Sequence, residues 1–149
     1  MLNLNLKNKV VLITGASKGM GYKIAEQFSL QGSKVFLVSR NKKNLIKSCK
    51  KIKKHGGKVE FFSGDVSNPK IHNKIFAQCK KKYGPIDILI NNAGGPPMGN
   101  LFEHNAKDWE KAIQTNMMSV IRFSKLALKE MKKKNWGRII TITSSVTKE

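Results

Sequence analysis

The sequence predicts an α/β fold: a doubly wound parallel sheet covered by helices on both faces, forming a single domain over residues 1–149. Three observations predict it. Short, mostly apolar runs alternate with longer segments of helical periodicity. The turns between them are short, so each helix carries the chain back to a parallel strand. A glycine-rich turn follows the first apolar run directly. With 149 residues there is room for one ordinary core and not for two.

The elements follow in order. Val10 to Thr14 is an unbroken apolar run, as a strand buried on both faces requires. After the turn, Ile24, Ala25 and Phe28 repeat at helical spacing, and Gly32 ends that helix. Lys34 to Val38 is the second strand. Leu45, Ile46, Cys49 and Ile52 mark the helix after it, stopped by Gly56-Gly57. Val59 to Phe62 is the third strand. Asn68-Pro69 opens the next helix, Ile71, Ile75, Cys79 and Tyr83 line it, and Gly84-Pro85 closes it. Ile86 to Ile90 is the fourth strand. The longest helix begins near Asp108 and carries Trp109, Ile113, Asn116, Met117, Val120, Ile121, Ser124, Leu128 and Met131 along one face. Ile139 to Ile142, beyond Gly137, is the fifth strand. Right-handed crossovers place the Cys49 and Cys79 helices on opposite faces of the sheet.

Charge is the most extreme feature of the composition: 29 basic against 9 acidic residues, a net +20. The excess lies in lysine runs at 42–43, 50–54, 80–82 and 132–134, with arginine only at Arg40, Arg122 and Arg138. Readers of base edges favour arginine, and no aromatic residues interleave with these runs to stack on bases. The reading is a solvated, compositionally biased surface with no specific nucleic-acid partner; the charge alone supports only non-specific attraction to phosphate. No apolar run reaches transmembrane length, and the amino terminus lacks a secretory apolar core, so the expectation is a cytoplasmic protein with no membrane partner. Cys49 and Cys79 read as small buried side chains and form no Cys-x-x-Cys. His55, His72 and His104 have no metal-ligand spacing, so no metal site is expected.

The chemistry concentrates in Thr14-Gly15-Ala16-Ser17-Lys18-Gly19-Met20-Gly21. A strand that passes through glycines into a helix brings main-chain N–H groups and the positive helix end against an anion, and Gly15, Gly19 and Gly21 let the backbone approach it closely. Glycines in one strand-to-helix turn can equally be structural punctuation, and the motif by itself leaves both readings open.

Four further segments in order make the chain resemble the short-chain dehydrogenase/reductase family, whose fold is Rossmann-like with strand order 3-2-1-4-5. Thr-Gly-x-x-x-Gly-x-Gly is matched at 14–21, and Asp65-Val66 closes the third strand. Asn91-Asn92-Ala93-Gly94 follows the fourth, and Thr115-Asn116-Met117 carries the helical asparagine. Gly137-Arg138-Ile139-Ile140 precedes the serine that aligns as Ser144. The resemblance implies that Ser17 and Lys18 face the phosphates and adenosine ribose of a nicotinamide coenzyme, with Gly19, Met20 and Gly21 at the pyrophosphate. It implies that Asp65 accepts from the adenine amino group, that the Val66 backbone touches the ring, and that Asn92, Ala93 and Gly94 line the ribose. As local chemistry, Asp65 also fits a plain turn cap before Ser67-Asn68-Pro69, and Asn91-Asn92 fits a simple turn.

Coenzyme choice follows from charge. An acid at the end of the second strand would bind both ribose hydroxyls and repel a 2′-phosphate; here the strand ends Val38-Ser39-Arg40-Asn41, with Lys18 nearby. Two cations and no carboxylate favour NADP(H) over NAD(H), while Arg40 is otherwise one more surface cation. The family's reaction moves hydride between the nicotinamide and a small-molecule carbonyl or alcohol. The resemblance assigns Ser144 to the reacting oxygen and Asn116 to a water in a proton relay. A Tyr-x-x-x-Lys pair completes the family's set, with tyrosine as general acid. The sequence ends at Glu149 before that pair is reached, and Tyr22 and Tyr83 lie in the wrong elements. The expectation is a fold truncated after its fifth strand and catalytically incomplete, without the helix bearing the pair, the last strands and the substrate-closing loop. One flank of the sheet and the apolar stripe of the long helix then stand exposed. Asn92-Ala93-Gly94-Gly95-Pro96-Pro97, with Trp136-Gly137-Arg138 and Ser144-Ser145-Val146-Thr147-Lys148-Glu149, further resembles a divergent subgroup similar to 3-oxoacyl-[acyl-carrier-protein] reductases, whose members often lack the tyrosine and lysine. Family members are homo-oligomers. The readings kept beside a reductase are a nucleotide-binding remnant without hydride transfer and a basic nucleic-acid-associated module.

Overall fold

Five parallel strands form one sheet in the order β3-β2-β1-β4-β5. They are β1 Val10–Thr14, β2 Lys34–Ser39, β3 Lys58–Ser63, β4 Ile88–Asn91 and β5 Arg138–Thr141. The computed structural model describes residues 4–95, 99 and 101–143. The helices are α1 Gly19–Leu30, α2 Lys42–Lys54, α3 His72–Tyr83, α4 Ala106–Ile113 and α5 Ser119–Lys133. Leu12, at the centre of β1, is in register with Phe36 on one side and Leu89 on the other.

Side chains that alternate along each strand sort into two cores. Leu12, Phe36, Val38 and Leu89 point to one face, where Ile75, Phe76 and Cys79 of α3 and Phe123, Ala127 and Met131 of α5 cover them. Val11, Ile13, Val35, Leu37, Ile88 and Ile90 point to the other, under Ala25 of α1 and Leu45, Cys49 and Ile52 of α2. Both sides of β1 are sealed, which is why its sequence is apolar without alternation. The two thiols are buried in separate cores and free, on opposite faces as the crossover rule requires.

Part of the lysine excess is held by carboxylates. Lys134 Nζ meets Asp87 Oδ1 at 2.5 Å, and the other Asp87 oxygen accepts the Val10 N–H at 2.8 Å, pinning the end of α5 to the start of β1. Lys53 and Lys82 both reach Glu60, and Lys80 reaches Glu130.

The long helix departs most from expectation. It starts at Ala106, where Asn105 and Asp108 form a reciprocal capping box, and a π-helical turn at Gln114–Met118 divides it into α4 and α5. Side chains in and just after that turn bond back to the preceding backbone: Asn116 Nδ2 donates to the Ala112 carbonyl at 2.9 Å and Ser119 Oγ to the Thr115 carbonyl at 2.5 Å. Supplying those carbonyls with side-chain donors relieves the ordinary helical pairing and favours the wider turn. The buried face is Ser119, Phe123, Ala127 and Met131, so only Met131 of the expected stripe reaches the core. Trp109, Ile113, Met117, Ile121 and Leu128 are exposed, as are Ile139 and Ile140 on β5 at the sheet edge. On α2 the buried set is Leu45, Ser48, Cys49 and Ile52, with Ile46 turned outward.

Candidate functional site

The carboxyl ends of β1, β2, β3 and β4 open into one cleft of about 610 Å³. Thr14, the last residue of β1, is its main joint. Its buried hydroxyl accepts the Asn92 N–H at 3.0 Å and the Ala93 N–H at 2.9 Å. Asn92 replies through Nδ2, which donates to the Thr14 and Gly15 carbonyls at 3.1 and 3.2 Å. This leaves no room for side chains beneath the turn. Gly15 sits at φ +65°, and a Cβ there would lie 2.9 Å from the Ala93 Cα. A Cβ on Gly21 would lie 2.5 Å from both the Gly15 carbonyl oxygen and Asn92 Nδ2.

The helix that starts here lacks the side-chain cap that α2 and α4 have. Asn41 caps α2 and Asn105 caps α4 through their side chains, whereas the residue before α1, Lys18, makes no capping bond. The first N–H groups of α1 therefore meet the cleft without a side-chain acceptor, where the helix dipole favours negative charge. No acidic residue stands in that first turn.

The rim beyond β2 and β3 is tied by short polar bonds. Ser39 Oγ donates to Ser17 Oγ at 2.9 Å, and Ser48 Oγ to the Ser17 carbonyl at 3.0 Å. Asp65 Oδ1 accepts both the Ser67 N–H at 3.0 Å and Ser67 Oγ at 2.9 Å. Partial burial alone would raise this carboxyl, but the two Ser67 bonds, with Arg40 and Lys111 nearby, outweigh it and hold it below the usual carboxylate range. Arg40 Nη1 lies 4.0 Å from Asp65 Oδ2, so the absence of an acid beside Arg40 is true of β2 and not of the folded rim. That pair is long and solvent-facing, so it holds the guanidinium only weakly.

The opposite wall comes from the loop after β4 and from α4. Asn116 stands behind it: its Oδ1 accepts the Gly95 N–H at 2.8 Å, and a Cβ on Gly94 would lie 2.5 Å from the same oxygen. Both ends of the Asn116 amide are thus engaged with backbone.

Gly15, Ser17, Lys18, Gly19, Met20, Gly21, Arg40, Asp65, Val66, Asn92, Ala93 and Gly94 all line this cleft. Asn116 is one layer removed. Ser144 lies outside the described residues, as do Pro96, Pro97 and Met98 of the loop after β4. The structure adds what the sequence reading passed over. Thr14, in the motif only the end of a strand, is the joint between β1 and the loop after β4, and Asp108, Lys111, Ala112 and Thr115 complete the wall from α4 and the π turn. Helical spacing of Asp108, Lys111, Ala112 and Thr115 was the available signal. Neither described tyrosine serves the cleft: Tyr22 donates to Glu26, and Tyr83 packs against the core under α3. No group of His, Cys, Asp and Glu able to hold a metal exists among the described residues, and no described helix is long and apolar enough to cross a membrane.

The family model for short chain dehydrogenase matches residues 9–149. An uncharacterized oxidoreductase of Thermotoga maritima is 36% identical over 95% of this chain and 55% of its own length. The 3-oxoacyl-[acyl-carrier-protein] reductase FabG of Escherichia coli is 34% identical over 96% of this chain and 57% of its own. Among solved structures, an actinorhodin polyketide ketoreductase variant with NADPH superposes with TM-score 0.87 at 31% identity, covering 93% of this chain and 56% of the other. A 7α-hydroxysteroid dehydrogenase complexed with NADH and 7-oxo glycochenodeoxycholic acid gives TM-score 0.90 at 32% identity, covering 95% and 55%. The chain spans about half the length of the curated relatives it matches.

Proposed function

The chain belongs to the short chain dehydrogenase family, and from that premise we propose that it is the coenzyme-binding part of an NADP(H)-dependent oxidoreductase that reduces a carbonyl, ketoacyl or similar, to an alcohol. The observation that carries the proposal is the uncapped start of α1, set over a cradle that a Cβ on Gly15 or Gly21 would fill, in one cleft with Asp65-Val66 and Asn92–Gly94. That cradle fits a pyrophosphate: small, doubly charged, and bound by main-chain N–H groups. Ser17 and Lys18 would flank the phosphates and the adenosine ribose. Asp65 and Val66 would meet the adenine, and Asn92, Ala93 and Gly94 the ribose. When bound, the nicotinamide supplies the hydride. Asn116, whose amide keeps a second Nδ2 hydrogen and a second Oδ1 lone pair beyond its two backbone bonds, would hold a water in the relay, and Ser144 would orient the reacting oxygen.

Preference for NADP(H) rests on Arg40. Its weak pairing with Asp65 costs little to exchange for a phosphate, which offers a shorter, doubly charged partner. NADH-bound and NADPH-bound structures both occur among the chain's structural neighbours, so the local charge is the discriminating argument. Thermal stabilisation tests it: NADPH should raise Tm more than NADH at equal concentration, and Arg40→Ala should equalise the two. Equal shifts in the unaltered chain would remove the preference.

A second reading, nucleotide binding without turnover, is favoured by one observation: neither described tyrosine faces the cleft. On that reading these 149 residues oxidise NADPH with ketones and aldehydes only at background. A rate that depends on Ser144 would decide for the reductase.

A further inference from the structure

Resting on the cleft as a coenzyme site, we propose that His72 is a positioning residue for its adenosine end: the imidazole Nε2–H grips the Val66 carbonyl and sets the Asp65-Val66 rim before any ligand arrives. His72 is the first residue of α3, is 3% exposed, and belongs to none of the motifs used above. Its Nε2 lies 2.7 Å from the Val66 carbonyl oxygen. A carbonyl only accepts, so Nε2 must carry the proton. Nδ1 is then a bare acceptor, buried with no hydrogen-bond partner. An apolar side chain would fill this space without an orphaned nitrogen, which costs about 1–3 kcal/mol. The compensation visible in the structure is the bond to Val66.

That bond acts where the cleft needs rigidity. Val66 lines the cleft beside Asp65, whose carboxylate is turned into the loop by Ser67. The loop is thus held from one side by its own carboxylate and from the other by His72. The ring also leans on Phe123 of α5, with centroids 4.7 Å apart and planes at 47°. His72 thus ties the Val66 loop to α5, the helix that continues from the π turn carrying Asn116. Burial pushes this imidazole below the usual histidine range, the Val66 bond opposes that, and Arg122 on α5 adds to it. The neutral tautomer that can hold Val66 is the one the site favours. A rim fixed in advance spares the ligand the cost of ordering it.

The test is calorimetric titration of the chain with ADP, which carries the adenosine half of the coenzyme, and with nicotinamide mononucleotide, which carries the other half. His72→Phe keeps a ring against Phe123 and deletes the donor; His72→Gln places an amide N–H at similar reach. His72→Phe should bind ADP about three- to tenfold more weakly, the value of one hydrogen bond. Nicotinamide mononucleotide should bind unchanged, and His72→Gln should recover most of the ADP affinity. Undiminished ADP binding by His72→Phe overturns the inference, as does equal weakening for both probes. If the unaltered chain binds neither probe, the coenzyme reading itself falls and takes this one with it. Should His72→Phe not fold, nitrogen NMR of the unaltered chain decides: the His72 Nε2–H signal must shift with ADP and stay still with nicotinamide mononucleotide, and a silent signal refutes the role.

Discussion

Thr14→Val is the most informative single change to the scaffold of the cleft. Valine has nearly the shape of threonine and suits the strand, so the substitution removes one hydroxyl and little else. That hydroxyl takes the N–H groups of Asn92 and Ala93, which are only half-buried. A stranded donor costs about 1–3 kcal/mol; taking the lower half of that range for each, the loss is about 2–4 kcal/mol. For a chain of this length that corresponds to a fall in Tm of roughly 6–12 °C, a large part of a typical stability of about 5–15 kcal/mol. Thr14→Ser keeps the hydroxyl and loses one methyl, for about 1 kcal/mol. Urea unfolding of the three proteins checks the ranking, with the change in midpoint and not in slope. If Thr14→Val proves as stable as Thr14→Ser, or more so, the hydroxyl is not the joint between β1 and β4 described above.

Gly21→Ala should abolish coenzyme binding in titration and cost about 1–3 kcal/mol, the usual range for overpacking, because its Cβ would press on the Gly15 carbonyl; binding like the unaltered chain would show that the turn is free to shift. Asp65 titrates below the ordinary carboxylate range when folded, so its contribution to stability is present above about pH 4 and is lost as pH falls through the folded value. Asp65→Asn should therefore be the less stable protein at neutral pH, and the gap should close on acidification; a gap independent of pH in urea melts would refute this. Burial pushes the Cys49 thiol up to about 11 and the Cys79 thiol up to about 12. A thiol reagent at neutral pH should find both unreactive in the folded chain and both reactive in urea, and one fast-reacting thiol in the folded chain would contradict the packing.

Legibility differed by the range of the interaction. The strands and most helices could be read because an apolar run or a four-residue repeat is a local signal of burial. Of the twelve residues that line the cleft, the glycines of the first turn and Arg40 could be read from local spacing and strand ends, and the others were named through the family resemblance. The exposed stripe of the long helix at Trp109, Ile113, Met117, Ile121 and Leu128 agrees with expectation, whereas the smaller, less apolar Ser119, Phe123, Ala127 face that the sheet buries was not legible. Periodicity tells which residues share a face, not which face meets the core. Ile139 and Ile140 read locally as a buried strand, and their exposure on β5 at the border of the sheet agrees with the expected open flank.

The sequence by itself determined the doubly wound parallel sheet and the glycine turn that opens onto a helix, because hydrophobic period, chain handedness and backbone freedom are written residue by residue; the strand order came from the family resemblance. Only the tertiary structure decided that Thr14 fastens β1 to the loop after β4, that Arg40 leans toward Asp65, that Asn116 bonds to backbone from both ends of its amide within a π turn, and that His72 reaches Val66. Each of the first two joins residues far apart in the chain, and each of the others depends on a bond direction. Distance through space and the aim of a donor are set when the layers pack, so no reading along the chain could supply them.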